Sequence, residues 1–367
     1  MTLAEFVPPM PHPLWKLCPQ MGITDVIVKV NPDLTGLPDP WRCETLTKIV
    51  GRLKDAGLNV VGLEGDPFDM SPIKNYGERG MGNGEREEAL SHYRELLESM
   101  GRLGIKLLCY NFMVGKGWSR TGVREGRGGA KATYFSLKEL TQKESDAGAL
   151  VEASDKSELK ISHEQVWANY EYFIKAVMPT AEKCGVRMAL HPDDPCLPSL
   201  GGYARIFGSV EAYDRAYAVY PSPSNAVTFC QANFKLMLGN GERGTVLATK
   251  NATSTKTLHP LRPLRQKIST LEDVARHFGK RIAFIHIRDV EGTKEDFTEL
   301  FHDQGDTDQF ALMRTYRELG LDVPVRGDHV PEMAYDRVLT PDGTPGYFTL
   351  GRLFANGYLK ALLKSIA

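Results

Sequence analysis

The chain lacks any apolar run near the roughly 18 residues that a bilayer-spanning helix needs, which argues against a membrane partner. It has almost no net charge: 45 Lys and Arg against 46 Asp and Glu leave −1, so no electrostatic footprint points to nucleic acid. Its six cysteines, at positions 18, 43, 109, 184, 196 and 230, are scattered and form no C-x-x-C pair, too sparse for a disulfide framework. Reduced thiols are expected, and with them a cytoplasmic location. The first residues carry no basic stretch followed by an apolar one, so no secretory signal is read there. No nucleophile elbow or P-loop is found. Gly80-Met-Gly-Asn-Gly84 does not follow a strand directly, so it makes no dinucleotide fingerprint. Phosphoryl and hydride transfer are therefore poorly supported.

What the chain does have is rhythm. Short apolar runs alternate with amphipathic helical stretches almost from end to end, the pattern of a parallel sheet. Strands are predicted at Asp25 to Val30, Val60 to Leu63, Lys106 to Tyr110, Arg187 to Leu190, Ala226 to Phe229, Ile282 to Ile285 and Val323 to Arg326. Thr2 to Phe6 is a weaker eighth, and eight would close a barrel. Helices are predicted at Arg42 to Ala56, Arg86 to Leu103, His163 to Cys184 and Phe310 to Leu319, the last capped by Asp306 or Asp308. The 367 residues suit a single (β/α)8 (TIM) barrel domain carrying two long polar loop insertions, at about 115–159 and 240–269. These insertions are either mobile surface loops or covers over a substrate.

Four residues able to bind a divalent metal each sit just past a predicted strand: His191, Cys230, His286 and Asp328. Their separations of 39, 56 and 42 residues match no local metal motif. They have meaning only if adjacent strands of one barrel bring them to the face where such folds collect their functional groups. Singly, each has a structural explanation; together they predict a metal centre. Two nitrogens, a sulfur and an oxygen would suit Zn2+, Fe2+ or Mn2+. In His191-Pro-Asp-Asp-Pro195 a neighbouring carboxylate is expected to orient the imidazole. Asp328 is followed by His329, an acid–base group. Arg288 and Arg326 are candidates to pair with a substrate carboxylate, and His302 is either a substrate contact or part of a helix cap.

Several segments together resemble the mannonate dehydratase family. They are Gly104 to Met113 with Trp118-Ser-Arg-Thr121, Ala189 to Pro195, Phe229-Cys230, Phe284 to Asp289, His302 to Asp308, Arg326 to His329 and Gly346 to Arg352. The resemblance implies a metal-dependent barrel of the xylose-isomerase-like kind, with His191, Cys230, His286 and Asp328 as Mn2+ ligands. It implies His329 and Tyr347 as the acid–base pair, and it makes Asn111 a further substrate-binding candidate. The reaction implied is loss of water from a sugar acid, D-mannonate or a related aldonate, giving a 2-keto-3-deoxy acid in hexuronate catabolism. A homo-oligomer is implied as well. The sequence departs from the family at Val28-Lys-Val-Asn-Pro32, where Leu-His-His is usual, and at Gln231-Ala-Asn233, where Thr-Gly-Ser is usual. It departs again at Lys116-Gly-Trp118, in place of Phe-Asp-Trp, and at Arg326-Gly-Asp-His-Val330, in place of Arg-Pro-Asp-His-Gly. The metal cage is kept while the substrate shell changes, which leaves a metal-dependent sugar isomerase, epimerase or lyase as the alternative activity and a non-catalytic sugar-binding barrel as a third.

Overall fold

The structure is a computed structural model that describes residues 1–78, 82–115, 117–146, 159–239 and 268–366. Its centre is a closed parallel barrel. The first strand, β1, is split by Ala4: Thr2–Leu3 pairs with the last strand and Glu5–Val7 pairs with the second, so one segment closes the sheet. The others follow in chain order: β2 Asp25–Val28, β3 Asn59–Glu64, β4 Leu107–Tyr110, β5 Arg187–Leu190, β6 Asn225–Cys230, β7 Ile282–Ile287 and β8 Pro324–Gly327. Covered on both faces, these strands read as apolar runs rather than alternating ones; all six residues of β6 and of β7 are buried.

The barrel's interior is filled by Ala4, Ile27, Leu107, Cys109, Ala189, Ala226, Ala283 and Phe284. Five of these are alanine or cysteine, small enough for facing strands to share a narrow lumen. Outside, helices pack their apolar faces against the strands. His163–Cys184 buries Val166, Tyr170, Phe173, Ile174, Val177 and Met178. Ser162 caps its start by accepting the Gln165 N–H, and Gly185, in the left-handed region at φ 63°, turns the chain into β5. Gln309–Glu318 is capped by Asp308, which accepts the Ala311 N–H. Asp306 instead pairs with Lys235.

The first predicted insertion is not simply a loop. Gly122–Glu125 and Lys131–Ser136 join Val290–Gly292 and Asp296–Glu299 in a four-stranded antiparallel sheet, and Leu137–Asp146 is helical. Its polar composition hid a hairpin whose inner strand, Lys131–Ser136, pairs with a strand more than 150 residues away, Phe135 on Phe297 for example. The second predicted insertion, from 240 to 267, lies outside the described residues. Among the described residues no helix is long and apolar enough to cross a membrane.

Candidate metal centre

Parallel pairing lines up strand ends. Cys230, the last residue of β6, stands opposite His286 of β7, while Asp328 directly follows β8 and His191 directly follows β5. Each of His191, Cys230, His286 and Asp328 therefore offers an atom to one place, and the four atoms all lie within 4.8 Å of one another. That spread suits one ion at ordinary ligand distances of roughly 2.0–2.3 Å. The His191 and His286 rings are 5.1 Å apart.

The surroundings fit a cation. Both nitrogens of buried His286 lack a hydrogen-bond partner; Nδ1 is 3.6 Å from Asp328 and Nε2 3.6 Å from Glu64. Burial and Arg326 favour the neutral ring, yet Glu64 and Asp328 outweigh them and raise its pKa. Burial pushes the Cys230 thiol up, but the Arg288 guanidinium, with His191 and His286, brings it down to about 6. Burial likewise opposes the Asp328 carboxylate, and His329, Arg326 and His286 hold it well below the usual range. The cage is a thiolate and a carboxylate facing two imidazoles, a donor set for a divalent transition metal.

His191 Nδ1 lies 2.8 Å from the Pro192 carbonyl, which takes its N–H and leaves Nε2 for an ion. The expected orienting carboxylates do other work. Asp193 accepts the Phe207 N–H and pairs with Arg205, and Asp194 accepts from Arg120 and Arg288. A cis peptide joins Asp194 to Pro195.

A cavity of about 110 Å3 opens beside the cage, with Glu64, Asn111, Trp118, Asp194, Arg326 and the His329–Tyr347 pair in its wall. His329 Nε2 is 2.9 Å from the Tyr347 hydroxyl. Its Nδ1 lies 3.0 Å from Glu299 and 2.9 Å from Arg288. Glu299 favours a proton on Nδ1, whereas Arg288 favours a bare nitrogen, so both tautomers find partners. Tyr347 stands just ahead of the final helix, Thr349–Ser365. Burial, then Asp328, holds its hydroxyl in the protonated form.

Two other candidates stand apart. Arg288 is fully buried, bonded to Asp194, Asn233 and His329, and is absent from the cavity wall. His302 is buried behind β8, its Nε2 on the Ile287 carbonyl, and likewise does not reach the cavity. Arg326 does reach it, held at once by Glu64 and Asp328.

Sequence reasoning passed over several residues. Glu64 ends β3 as Cys230 ends β6, so the same strand-end rule would have found it. Glu299 and Asn233 gave no signal. Arg120, within the Trp118-Ser-Arg-Thr121 segment, was named without a role. It clamps Asp194 at 2.7 and 3.0 Å and Glu299 at 3.0 Å, tying the loop after β5 to the antiparallel sheet.

Barrel and candidate cage define the class: a (β/α)8 barrel with a candidate divalent-metal centre at its strand ends. The sequence model of the D-mannonate dehydratase (UxuA) family matches residues 16–242 and 265–367, and the chain belongs to that family of sugar-acid hydro-lyases. The mannonate dehydratase of Brachyspira hyodysenteriae is 28% identical over 370 residues, covering 94% of this chain and 92% of that protein. That of Streptococcus equi subsp. zooepidemicus is 28% identical over 342 residues, covering 89% and 84%. Among solved structures, mannonate dehydratase from Streptococcus suis matches with a TM-score of 0.76 at 24% identity, covering 100% of this chain and 95% of that one. A D-psicose 3-epimerase from Clostridium cellulolyticum shares the fold, with a TM-score of 0.54 at 10% identity over 100% and 99% of the chains.

Proposed function

We propose that this chain is a Mn2+-dependent dehydratase that removes water from D-mannonate or a closely related aldonate, giving a 2-keto-3-deoxy acid within hexuronate breakdown. The observation that carries the reading is the convergence of the four-residue cage and the His329–Tyr347 pair on one cavity. His191, Cys230, His286 and Asp328 would hold the ion. When bound, it would supply Lewis-acid polarisation of the acid's carboxylate and adjacent hydroxyl, without which the proton between them is too weakly acidic to remove.

The rest is done by side chains. His329 Nε2, facing the cavity, accepts the proton from the carbon next to the carboxylate. Tyr347, kept as a phenol, donates a proton to the departing hydroxyl as its C–O bond breaks. Water and an enol remain, and the enol becomes the 2-keto acid. Trp118, edge-on to His329 with centroids 5.0 Å apart, keeps bulk water from the pair. Six free thiols fit a reducing, cytoplasmic setting. Assembly into a dimer or larger oligomer belongs to the same reading and is checked by light scattering.

The test is His329→Asn with bound metal measured in parallel. Turnover is expected to fall roughly 10²–10⁴-fold with the ion retained. Undiminished turnover removes His329 from the chemistry. NMR of the product decides the reaction: a keto-deoxy acid supports dehydration, and a mass-neutral product would show isomerisation instead.

A further inference from the structure

Asn111 forms part of the cavity wall just past β4, and its carboxamide is not free to choose its orientation. Its Oδ1 accepts from the Lys74 ammonium at 2.9 Å and from the Met113 backbone N–H at 3.1 Å. Both partners are donors only, so the flipped amide would set its own N–H groups against an ammonium and an N–H. Lys74 is itself immobilised. It is buried, and its ammonium donates to both oxygens of Asp66, at 2.8 and 2.7 Å. Its backbone carbonyl accepts from Asn169 on the His163–Cys184 helix at 3.0 Å. With Asp66 neutralising it, Lys74 adds little net field to the cavity. What it fixes is the direction of an amide.

We infer that Lys74 is a positioning residue that locks Asn111 with its N–H donors toward the cavity, so that Asn111 reads an oxygen able only to accept, the substrate's carboxylate. The charges around it make a neutral donor there useful. Glu64, Asp194 and Asp328 line the same cavity, each already paired with an arginine, so none offers a donor to an acid. Its guanidinium, that of Arg326, is spent on Glu64 and Asp328. A sugar hydroxyl can donate or accept and gains nothing from a wall of fixed polarity; a carboxylate does.

This inference rests on the proposed function only in taking a sugar acid as ligand, and the test separates the two. Binding to the metal-loaded protein is measured for D-mannonate and for the uncharged alditol D-mannitol, in the wild type, Asn111→Asp, Lys74→Met and Lys74→Arg, with steady-state kinetics alongside. Asn111→Asp keeps the shape and turns the cavity-facing donor into an acceptor. Its preference for acid over alditol is expected to drop roughly 10- to 100-fold, the worth of a hydrogen bond to a charged group. Lys74→Met, which frees the amide to flip, should lower it in the same direction through KM more than kcat, and Lys74→Arg should restore much of it. Equal preference in wild type and Asn111→Asp overturns the inference, and so does a wild type with no preference for the acid. Should Lys74→Met fail to fold, Asn111→Asp decides alone. A protein that binds the acid selectively, loses that selectivity in Asn111→Asp, and yet dehydrates nothing would sink the proposed function and leave the inference standing.

Discussion

At the scale of single residues, the candidate cage gathers a thiol, a carboxylate and two imidazoles around one point. Cys230→Ser replaces a thiolate by a neutral hydroxyl. Outer partners of metal ligands are worth roughly 10–100-fold in affinity, so loss of a direct ligand is expected to exceed ~100-fold; metal retained after dialysis measures it. The thiol also sets a pH window. Its folded pKa, about 6, lies below the 9.0 of a free thiol, so its contribution is complete above 9 and lost as pH falls through 6. Metal affinity should drop in step, read by titration between pH 8 and 5, and Cys230→Ser should flatten that slope. His302 works in the same sense. Burial pulls its imidazole from 6.5 to about 4, so the unfolded chain takes the proton first and stability falls as pH drops from 6.5 to 4. His302→Gln should reduce this dependence in denaturant titrations across that range. The convergence of His191, Cys230, His286 and Asp328 was legible in the sequence because each follows an apolar run directly, and a parallel barrel aligns its strand ends. What Asp194, Glu299 and Asn233 do was not legible, since their partners are fixed by tertiary geometry. Arg120 and Glu299 are 179 residues apart, and no local pattern encodes that meeting.

At the scale of elements, the final helix packs beside the His329–Tyr347 pair. Gly351, in its first turn, lies so close to the segment after His329 that an added Cβ would meet the Pro331 carbonyl oxygen at 2.5 Å and Val330 at 2.8 Å. Backbone cannot yield as a side-chain tip can. Gly351→Ala is therefore expected to push the helix away, costing about 1–3 kcal/mol in stability. It should also lower kcat by shifting Tyr347 from His329; thermal melts and kinetics on the metal-loaded variant check both. Helices and barrel strands were readable because their apolar periodicity is strong: His163–Cys184 matches its expected bounds. The antiparallel sheet beyond the strand ends was not readable. Gly122–Glu125 alternates half-buried and exposed residues, and the sheet it edges is completed by a distant hairpin, Val290–Gly292 with Asp296–Glu299.

At the scale of the whole molecule, the candidate cage draws on β5 to β8, so an ion held there would bind the folded barrel and not the unfolded chain. Metal at a thousandfold excess over its Kd should stabilise the fold by about 4 kcal/mol. A chelator should remove that increment and lower the melting temperature, whereas a protein whose melting ignores both metal and chelator would have no such centre.

The split first strand has a consequence of its own. Thr2–Leu3 reaches its partner only at Pro324, and Glu5 accepts from Asn356 on the final helix. During synthesis Thr2–Leu3 therefore waits, unpaired along one side, until Pro324 and Val325 have left the ribosome. The seam that closes the barrel thus joins Thr2–Leu3 to Pro324–Val325, segments that leave the ribosome far apart in time.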